Sequence, residues 1–124
     1  MAMILIVDDS LSIRRMMSSS LTAEGHTVLE CKDGGEALQE ASKQTFDLVI
    51  TDLNMPGIDG LQLTRKLRSL PATADRPILI LTTETSAARK AEAKTAGASG
   101  WLLKPFREET LVRAIQTVLA KSGV

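Results

Sequence analysis

Cysteine and aromatic residues are scarce in this chain. Among its 124 residues it has one cysteine, Cys31, no tyrosine, two phenylalanines and one tryptophan. A single cysteine excludes an internal disulfide framework, so a reducing compartment, the cytoplasm, is the expected location.

An excess of either charge and a long hydrophobic run are also missing. The 15 basic and 15 acidic side chains balance, whereas nucleic-acid binders carry a basic excess that neutralises phosphates. The apolar N-terminal stretch ends at Asp8, lacks a basic region, and is too short for a signal peptide or a membrane span. We therefore expect neither nucleic-acid binding nor membrane insertion.

The composition is that of an ordinary globular domain. The hydrophobic fraction is 44% and the charged fraction 24%, and a chain of this length can bury a core without metals or disulfides. We expect one domain over residues 1–124, with a short tail from Lys121 onward.

Short apolar runs alternate with helical patterns along the chain. The five runs, each typical of a strand, are residues 3–7, 28–31, 48–51, 78–82 and 101–103. Between them apolar residues recur at helical spacing, and Asp33 and Asp59 stand where helix N-caps are expected. Strands alternating with helices predict an α/β fold with a parallel sheet covered on both faces.

The strand compositions predict the strand order. The first, third and fourth runs are continuously apolar, as central strands must be, whereas Glu30 interrupts the second run and the fifth is short and carries Trp101. With the second and fifth runs at the edges, we predict a flavodoxin-like (βα)5 three-layer sandwich with order 2-1-3-4-5.

Polar side chains follow the predicted strands at their carboxyl ends. Asp8 and Asp9 follow the first strand, Asp52 the third, Thr82 ends the fourth and Lys104 follows the fifth. Because ligands of open α/β sheets bind at this edge, we expect these side chains to converge on one site.

Three converging carboxylates repel one another unless a cation lies among them. A hard divalent cation such as Mg²⁺ prefers these oxygens, and Lys104 would complete the charge balance. A carboxylate can attack phosphorus, and Asp52, alone at the central strand, is the best nucleophile beside the metal-holding pair Asp8 and Asp9.

These residues resemble a known family. The pair Asp8-Asp9, the stretch 52–57 (Asp-Leu-Asn-Met-Pro-Gly), Thr82 and the stretch 104–106 (Lys-Pro-Phe) are similar to the receiver domain of two-component response regulators. Residues 54–60 and 96–100 are similar to the stand-alone, CheY-like type. The resemblance spans the chain and implies one receiver domain over residues 1–124 with no output domain.

The resemblance also implies a chemical role for each residue of the site. Asp52 would accept a phosphoryl group from the phosphohistidine of a histidine kinase. Asp8, Asp9, Asp52 and the backbone carbonyl of Asn54 would hold Mg²⁺ or Mn²⁺. Lys104 would contact the phosphoryl group.

The same resemblance implies a switch. Thr82 would move toward the phosphoryl group while Trp101, where the family often has Tyr or Phe, turns inward. Asn54 and Glu84 would tune the lifetime of the aspartyl phosphate, and the bond before Pro105 would be cis. A protein target would dock on the surface of the fourth helix, fifth strand and fifth helix, and a phosphatase is a further expected partner.

Other functions remain open at this point. A small-molecule phosphohydrolase using an aspartyl phosphate is the main alternative, although such enzymes usually place the nucleophile after the first strand. A phosphate sink or phosphorelay shuttle would use the same site. A flavin binder would need a phosphate-binding loop where Asp8 and Asp9 put negative charge. An interaction module that is never phosphorylated would not need the complete set of site residues.

We expect a signalling protein, not an enzyme with an external substrate, and chemotaxis is one candidate pathway.

Overall fold

The computed structural model describes residues 1–122 and places ten elements in strict alternation. The strands are β1 (Met3–Val7), β2 (Thr27–Cys31), β3 (Leu48–Asp52), β4 (Ile78–Thr82) and β5 (Gly100–Leu103). The helices are α1 (Leu11–Ala23), α2 (Gly34–Lys43), α3 (Gly60–Arg68), α4 (Ala87–Ala96) and α5 (Glu108–Ser122).

The five strands form one parallel sheet in the order β2-β1-β3-β4-β5. The predicted flavodoxin-like topology is confirmed, including both edges. All residues of β3 and β4 are buried, whereas most of β2 is only half-buried. Central strands are covered by helices on both faces, which explains their continuous apolar sequence.

Short polar side chains cap the N-termini of α1, α2, α3 and α4. Asp33 and Asp59 each accept a hydrogen bond from the backbone three residues on, at 2.8 Å, and Asp59 forms a complete capping box with Gln62. These contacts satisfy amide groups that have no partner inside the helix. Both predicted N-caps are confirmed, and they fix where the loops at the carboxyl edge of the sheet end.

Alternate residues of the sheet enter two cores. Ile4 and Ile6 pack with α1 and α5, whereas Leu5 and Val7 pack with α2 and α3 on the opposite face. Successive strand side chains point to opposite faces, so one apolar strand supplies both cores. A third, smaller cluster lies under α4.

Helix α4 is anchored by small side chains. Ala93 and Ala96 are its buried residues, and they contact Leu53, Leu61 and Ile80. Alanine buries little apolar area, so packing stabilises this helix less than its neighbours.

The predicted tail from Lys121 was wrong for its first two residues. Helix α5 continues to Ser122 because Val118 and Leu119, both 8% exposed, still pack against the core in its last turns. Gly123 and Val124 lie outside the described residues. Across residues 1–122, none of the helices has the length and apolarity that crossing a bilayer requires.

Candidate functional site

Three carboxylates meet at the carboxyl edge of the sheet. Asp52 is the last residue of β3 and Asp8 follows the last residue of β1, its neighbour in the sheet. Asp8 is fully buried and Asp52 is 7% exposed, whereas Asp9 is exposed. One oxygen from each carboxylate lies within 4.8 Å of the others.

Lys104 lies between two of these carboxylates. Its Nζ donates to Asp8 Oδ2 and to Asp52 Oδ1, both at 3.1 Å, and its side chain is only 14% exposed. The backbone N–H of Lys104 donates to the carbonyl of Thr82 at 2.7 Å, which extends the β4–β5 pairing by one residue. The following bond, Lys104–Pro105, is cis.

The pKa shifts follow from this crowding. Burial, and next the charge of Asp8, raise the pKa of Asp52, although Lys104 acts in the opposite direction. Burial by itself would lower the pKa of Lys104, but its hydrogen bonds and charge interactions with Asp8 and Asp52 raise it overall. Lys104 is therefore firmly protonated, while Asp52 ionises at a free-energy cost.

The backbone around Asp52 is held from several sides. The N–H of Leu53 donates to Asp52 Oδ1 at 3.1 Å, and the hydroxyl of Thr51 donates to the Asp52 carbonyl at 3.0 Å. Gly60, the first residue of α3, packs directly on this carbonyl; a Cβ there would collide with Asp52 O and lie 2.8 Å from Leu53 Cα. Only glycine permits this close approach.

The donor set fits a hard divalent cation. Two oxygens around an octahedral Mg²⁺ are at most about 4.2 Å apart, and the three carboxylates offer oxygens that all lie within 4.8 Å of one another. One ammonium group cannot neutralise three carboxylates, so charge balance also favours a divalent ion. The carboxylates of Asp8, Asp9 and Asp52 are the groups that could hold it.

Two other predicted site residues lie at the end of β4 and in the loop after β3. Asp52 pairs with Leu81 in the sheet register, and Thr82 follows on the same strand. Thr82 is 1% exposed, and its Oγ1 accepts from the N–H of Glu84 at 2.9 Å. A hydroxyl that accepts in this way still has a proton to donate. Asn54 is exposed in the β3–α3 loop.

Trp101 lies on β5, the strand at one edge of the sheet. It is half-buried and packs against the cluster of Leu53, Leu61, Ile80, Ala93 and Ala96. It also lines a groove of about 440 Å³ beside α4. The structure thus brings together Asp8, Asp9, Asp52 and Lys104, and places Trp101 where β5 meets α4.

Sequence reasoning missed two arginines that organise the loops. Arg14 donates to the carbonyl of Asp8 at 2.6 Å, and Arg68 donates to the carbonyl of Gly97 at 2.7 and 3.0 Å. The only local signal was Glu30, an acid in a strand, which lies 3.5 Å from Arg14. Glu30 marks the edge of the sheet and is also an ion-pair partner of Arg14.

Known proteins share both this fold and this sequence. The chemotaxis response regulator CheY4 of Vibrio cholerae superimposes with a TM-score of 0.92 at 47% identity, over 95% of this chain and 98% of that one. Residues 4–116 match the response regulator receiver domain. The chain belongs to the response regulator receiver domain family.

Other receivers resemble the chain over nearly its whole length. Protein PilH of Pseudomonas aeruginosa is 40% identical over 120 residues, which cover 97% of this chain and 99% of PilH. A chemotaxis protein CheY homolog of Campylobacter jejuni is 38% identical, over 94% of this chain and 91% of the homolog. The predicted family and the predicted CheY-like type are confirmed, and the chain is a receiver of two-component signalling.

Proposed function

We propose that this receiver accepts a phosphoryl group on Asp52 from the phosphohistidine of a histidine kinase and then changes its affinity for a protein target. The observation that carries the proposal is the position of Asp52, which lies 3.1 Å from Lys104 Nζ at the edge where Asp8 and Asp9 also end. A buried carboxylate with an adjacent ammonium and two further acids suits phosphoryl transfer.

The transfer itself needs few groups. A carboxylate oxygen of Asp52 forms the new P–O bond while the P–N bond of the phosphohistidine breaks and the imidazole leaves. The other oxygen stays oriented by the N–H of Leu53. Lys104, held near Asp52 by its bond to Asp8, donates to the phosphoryl oxygens as their charge grows.

Asp8, Asp9, Asp52 and the backbone carbonyl of Asn54 would hold Mg²⁺, or Mn²⁺ in its place. When bound, this ion supplies positive charge that neutralises the carboxylates and polarises the transferring group. The proposal rests on the oxygen donor set and on the placement of Asn54 in the loop that follows Asp52.

The proposed response uses Thr82 and Trp101. The Thr82 hydroxyl would release the N–H of Glu84 and donate to the phosphoryl group, drawing in the β4–α4 loop. Because the buried residues of α4 are the small Ala93 and Ala96, packing opposes a shift of this helix and the adjoining Trp101 only weakly. Asn54 and Glu84, at the rim, would tune how long the aspartyl phosphate lasts.

The proposed docking surface is formed by α4, β5 and α5. The groove beside Trp101, which combines alanines with Lys90 and Lys94, supports this assignment. A protein target, and a phosphatase acting on Asp52, are the further partners. The chemotaxis names of the CheY relatives make a chemotaxis pathway the first to test.

Labelling of Asp52 tests the proposal directly. Wild type incubated with acetyl phosphate and Mg²⁺ should gain one phosphoryl group by intact-protein mass spectrometry, whereas Asp52→Asn should gain none. Asp75→Asn, which changes an exposed aspartate in the loop before β4, should be labelled like wild type.

Equal labelling of wild type and Asp52→Asn would refute the proposed acceptor. Continuous release of phosphate from small phosphate esters over many turnovers would instead support the phosphohydrolase alternative. Rapid return of the phosphoryl group to a phosphohistidine partner would favour a phosphate sink or shuttle over a target switch.

A further inference from the structure

Every polar backbone and side-chain atom of Asp8 has a partner. Its N–H donates to the carbonyl of Cys31 at 3.1 Å, and its Oδ1 accepts from the N–H of Ser10 at 2.8 Å. Its Oδ2 accepts from Lys104 at 3.1 Å. The remaining atom, the carbonyl oxygen, accepts from Arg14 Nη1 at 2.6 Å. This residue is the most tightly held member of the acidic cluster.

The contact with Arg14 differs from the other three because it fixes a peptide plane. Asp8 follows the last residue of β1, so its carbonyl lies beyond the strand that would otherwise orient it. This carbonyl belongs to the planar peptide group between Asp8 and Asp9. A hydrogen bond that fixes its oxygen therefore also fixes the direction of the backbone at Asp9. One hydrogen bond therefore constrains both acids.

Arg14 is itself held in place. It lies in the first turns of α1, its side chain is only 14% exposed, and its Nε is 3.5 Å from Glu30 Oε1 on β2. The Glu30 side chain is 26% exposed. The planar guanidinium can engage both groups at once, which a flexible ammonium does less well.

The neighbouring Arg15 provides a natural comparison. Its Nε also approaches Glu30, at 3.8 Å, but its side chain is 72% exposed. The two arginines share a helix, a charge and an acidic partner. They differ in burial, and in that Arg14 donates to the carbonyl of Asp8.

We infer that Arg14 is a positioning residue for the metal-binding carboxylates, which orients the peptide between Asp8 and Asp9 and is itself oriented by Glu30. The inference rests on the proposed function, since it assigns Mg²⁺ to this site. A purely structural role would tie α1 to β2 and leave the affinity for the ion unchanged.

Calorimetric titration with Mg²⁺ separates the two roles. Arg14→Met should raise the Kd for Mg²⁺ by about 10-fold, the lower range found when partners of metal ligands are removed. Arg15→Met should leave the Kd within about twofold of wild type, since exposed surface substitutions change little. Circular dichroism shows whether each variant is folded before titration.

Two further variants keep the test informative if Arg14→Met is poorly folded. Arg14→Lys retains one donor for the Asp8 carbonyl and should restore part of the affinity. Glu30→Gln removes the charge that orients Arg14 and should weaken Mg²⁺ binding by less than Arg14→Met does. In labelling with acetyl phosphate, Arg14→Met should raise the Mg²⁺ concentration for half-maximal rate and keep the rate at saturating Mg²⁺ within about twofold.

The outcomes distinguish this inference from the proposed function. If wild type binds Mg²⁺ and is labelled on Asp52, but Arg14→Met and Arg15→Met bind Mg²⁺ equally well, the positioning role is refuted and the proposed function stands. If wild type neither binds Mg²⁺ nor is labelled, both are refuted. A selective loss of Mg²⁺ affinity in Arg14→Met, partly rescued by Arg14→Lys, supports the inference.

Discussion

At the scale of single residues, the ionised carboxylate of Asp52 lowers the stability of the folded protein. It is 7% exposed and lies near Asp8, and both features raise its pKa even though Lys104 is adjacent. The pKa of Asp52 in the folded protein therefore lies above its ordinary value of 3.8, and the folded protein binds this proton more tightly than the unfolded chain does. The contribution of Asp52 to the free energy of unfolding is therefore greatest below pH 3.8, and it is lost as the pH rises through the pKa of Asp52 in the folded protein.

Replacing this carboxylate should stabilise the protein when no Mg²⁺ is present. Asp52→Asn removes the charge but keeps an oxygen that can accept from Lys104 and Leu53, so we expect a gain of about 0.5–2 kcal/mol at pH 7. The gain should vanish below pH 3.8, where wild-type Asp52 is itself protonated. Urea unfolding in EDTA across this pH range measures it.

Asp33→Asn is the matched control for that experiment. Asparagine caps helices about as well as aspartate, so this variant should stay within about 0.5 kcal/mol of wild type. If Asp52→Asn proved less stable than wild type at pH 7, the cost assigned to the ionised carboxylate would be wrong.

At the scale of secondary-structure elements, one side chain joins three segments. Arg68, the last residue of α3, donates from Nη1 to the carbonyls of Thr73, Ala74 and Arg76 at 2.9, 3.2 and 2.5 Å. Its Nε and Nη2 donate to the carbonyl of Gly97, the C-cap of α4, at 3.0 and 2.7 Å. Burial lowers the pKa of this guanidinium, opposed by the charge of Asp75.

Truncating this side chain should therefore loosen both the 71–77 loop and the end of α4. Arg68→Ala leaves several carbonyls without their charged donor and should cost about 2–3 kcal/mol in urea unfolding. Hydrogen exchange should become faster in α4 as well as in the loop. Arg65→Ala, an exposed residue of the same helix, should change stability by less than about 0.5 kcal/mol. Equal losses in the two variants would contradict the joining role of Arg68.

At the scale of the whole molecule, the acidic edge couples metal binding to folding. Asp8, Asp9 and Asp52 come together only when β1 and β3 pair, so the unfolded chain offers no comparable site. A ligand that binds only the native state stabilises it by mass action.

Mg²⁺ should accordingly raise the thermal unfolding midpoint. At 100 times its Kd, the ion should add about 2.7 kcal/mol, or roughly 10 °C for a domain of this size. Sodium chloride at the same ionic strength should give a much smaller shift, and Asp9→Asn should reduce the Mg²⁺ effect. An identical shift with sodium chloride would mean that screening, not a bound ion, stabilises the protein.

Much of this architecture was predictable because its signals are local. The apolar runs of the central strands, the caps at Asp33 and Asp59, and the acids after the first and third strands all follow from periodicity and spacing. Known rules for parallel sheets then placed Asp8, Asp9 and Asp52 at one edge. The convergence of these residues and the strand order needed nothing beyond the sequence.

Only the tertiary structure decided which partners the long side chains take. The sequence predicted that Lys104 joins the acidic cluster, but only the structure shows that its Nζ donates to both Asp8 and Asp52, which lie 96 and 52 residues away along the chain. Arg14 donates to the carbonyl of Asp8, and Arg68 donates to the carbonyl of Gly97. The residues that flank these two arginines in the sequence do not distinguish them from solvent-exposed arginines. The physical reason is that a flexible cation can reach many acceptors, and packing alone determines which of them are near, buried and without another donor.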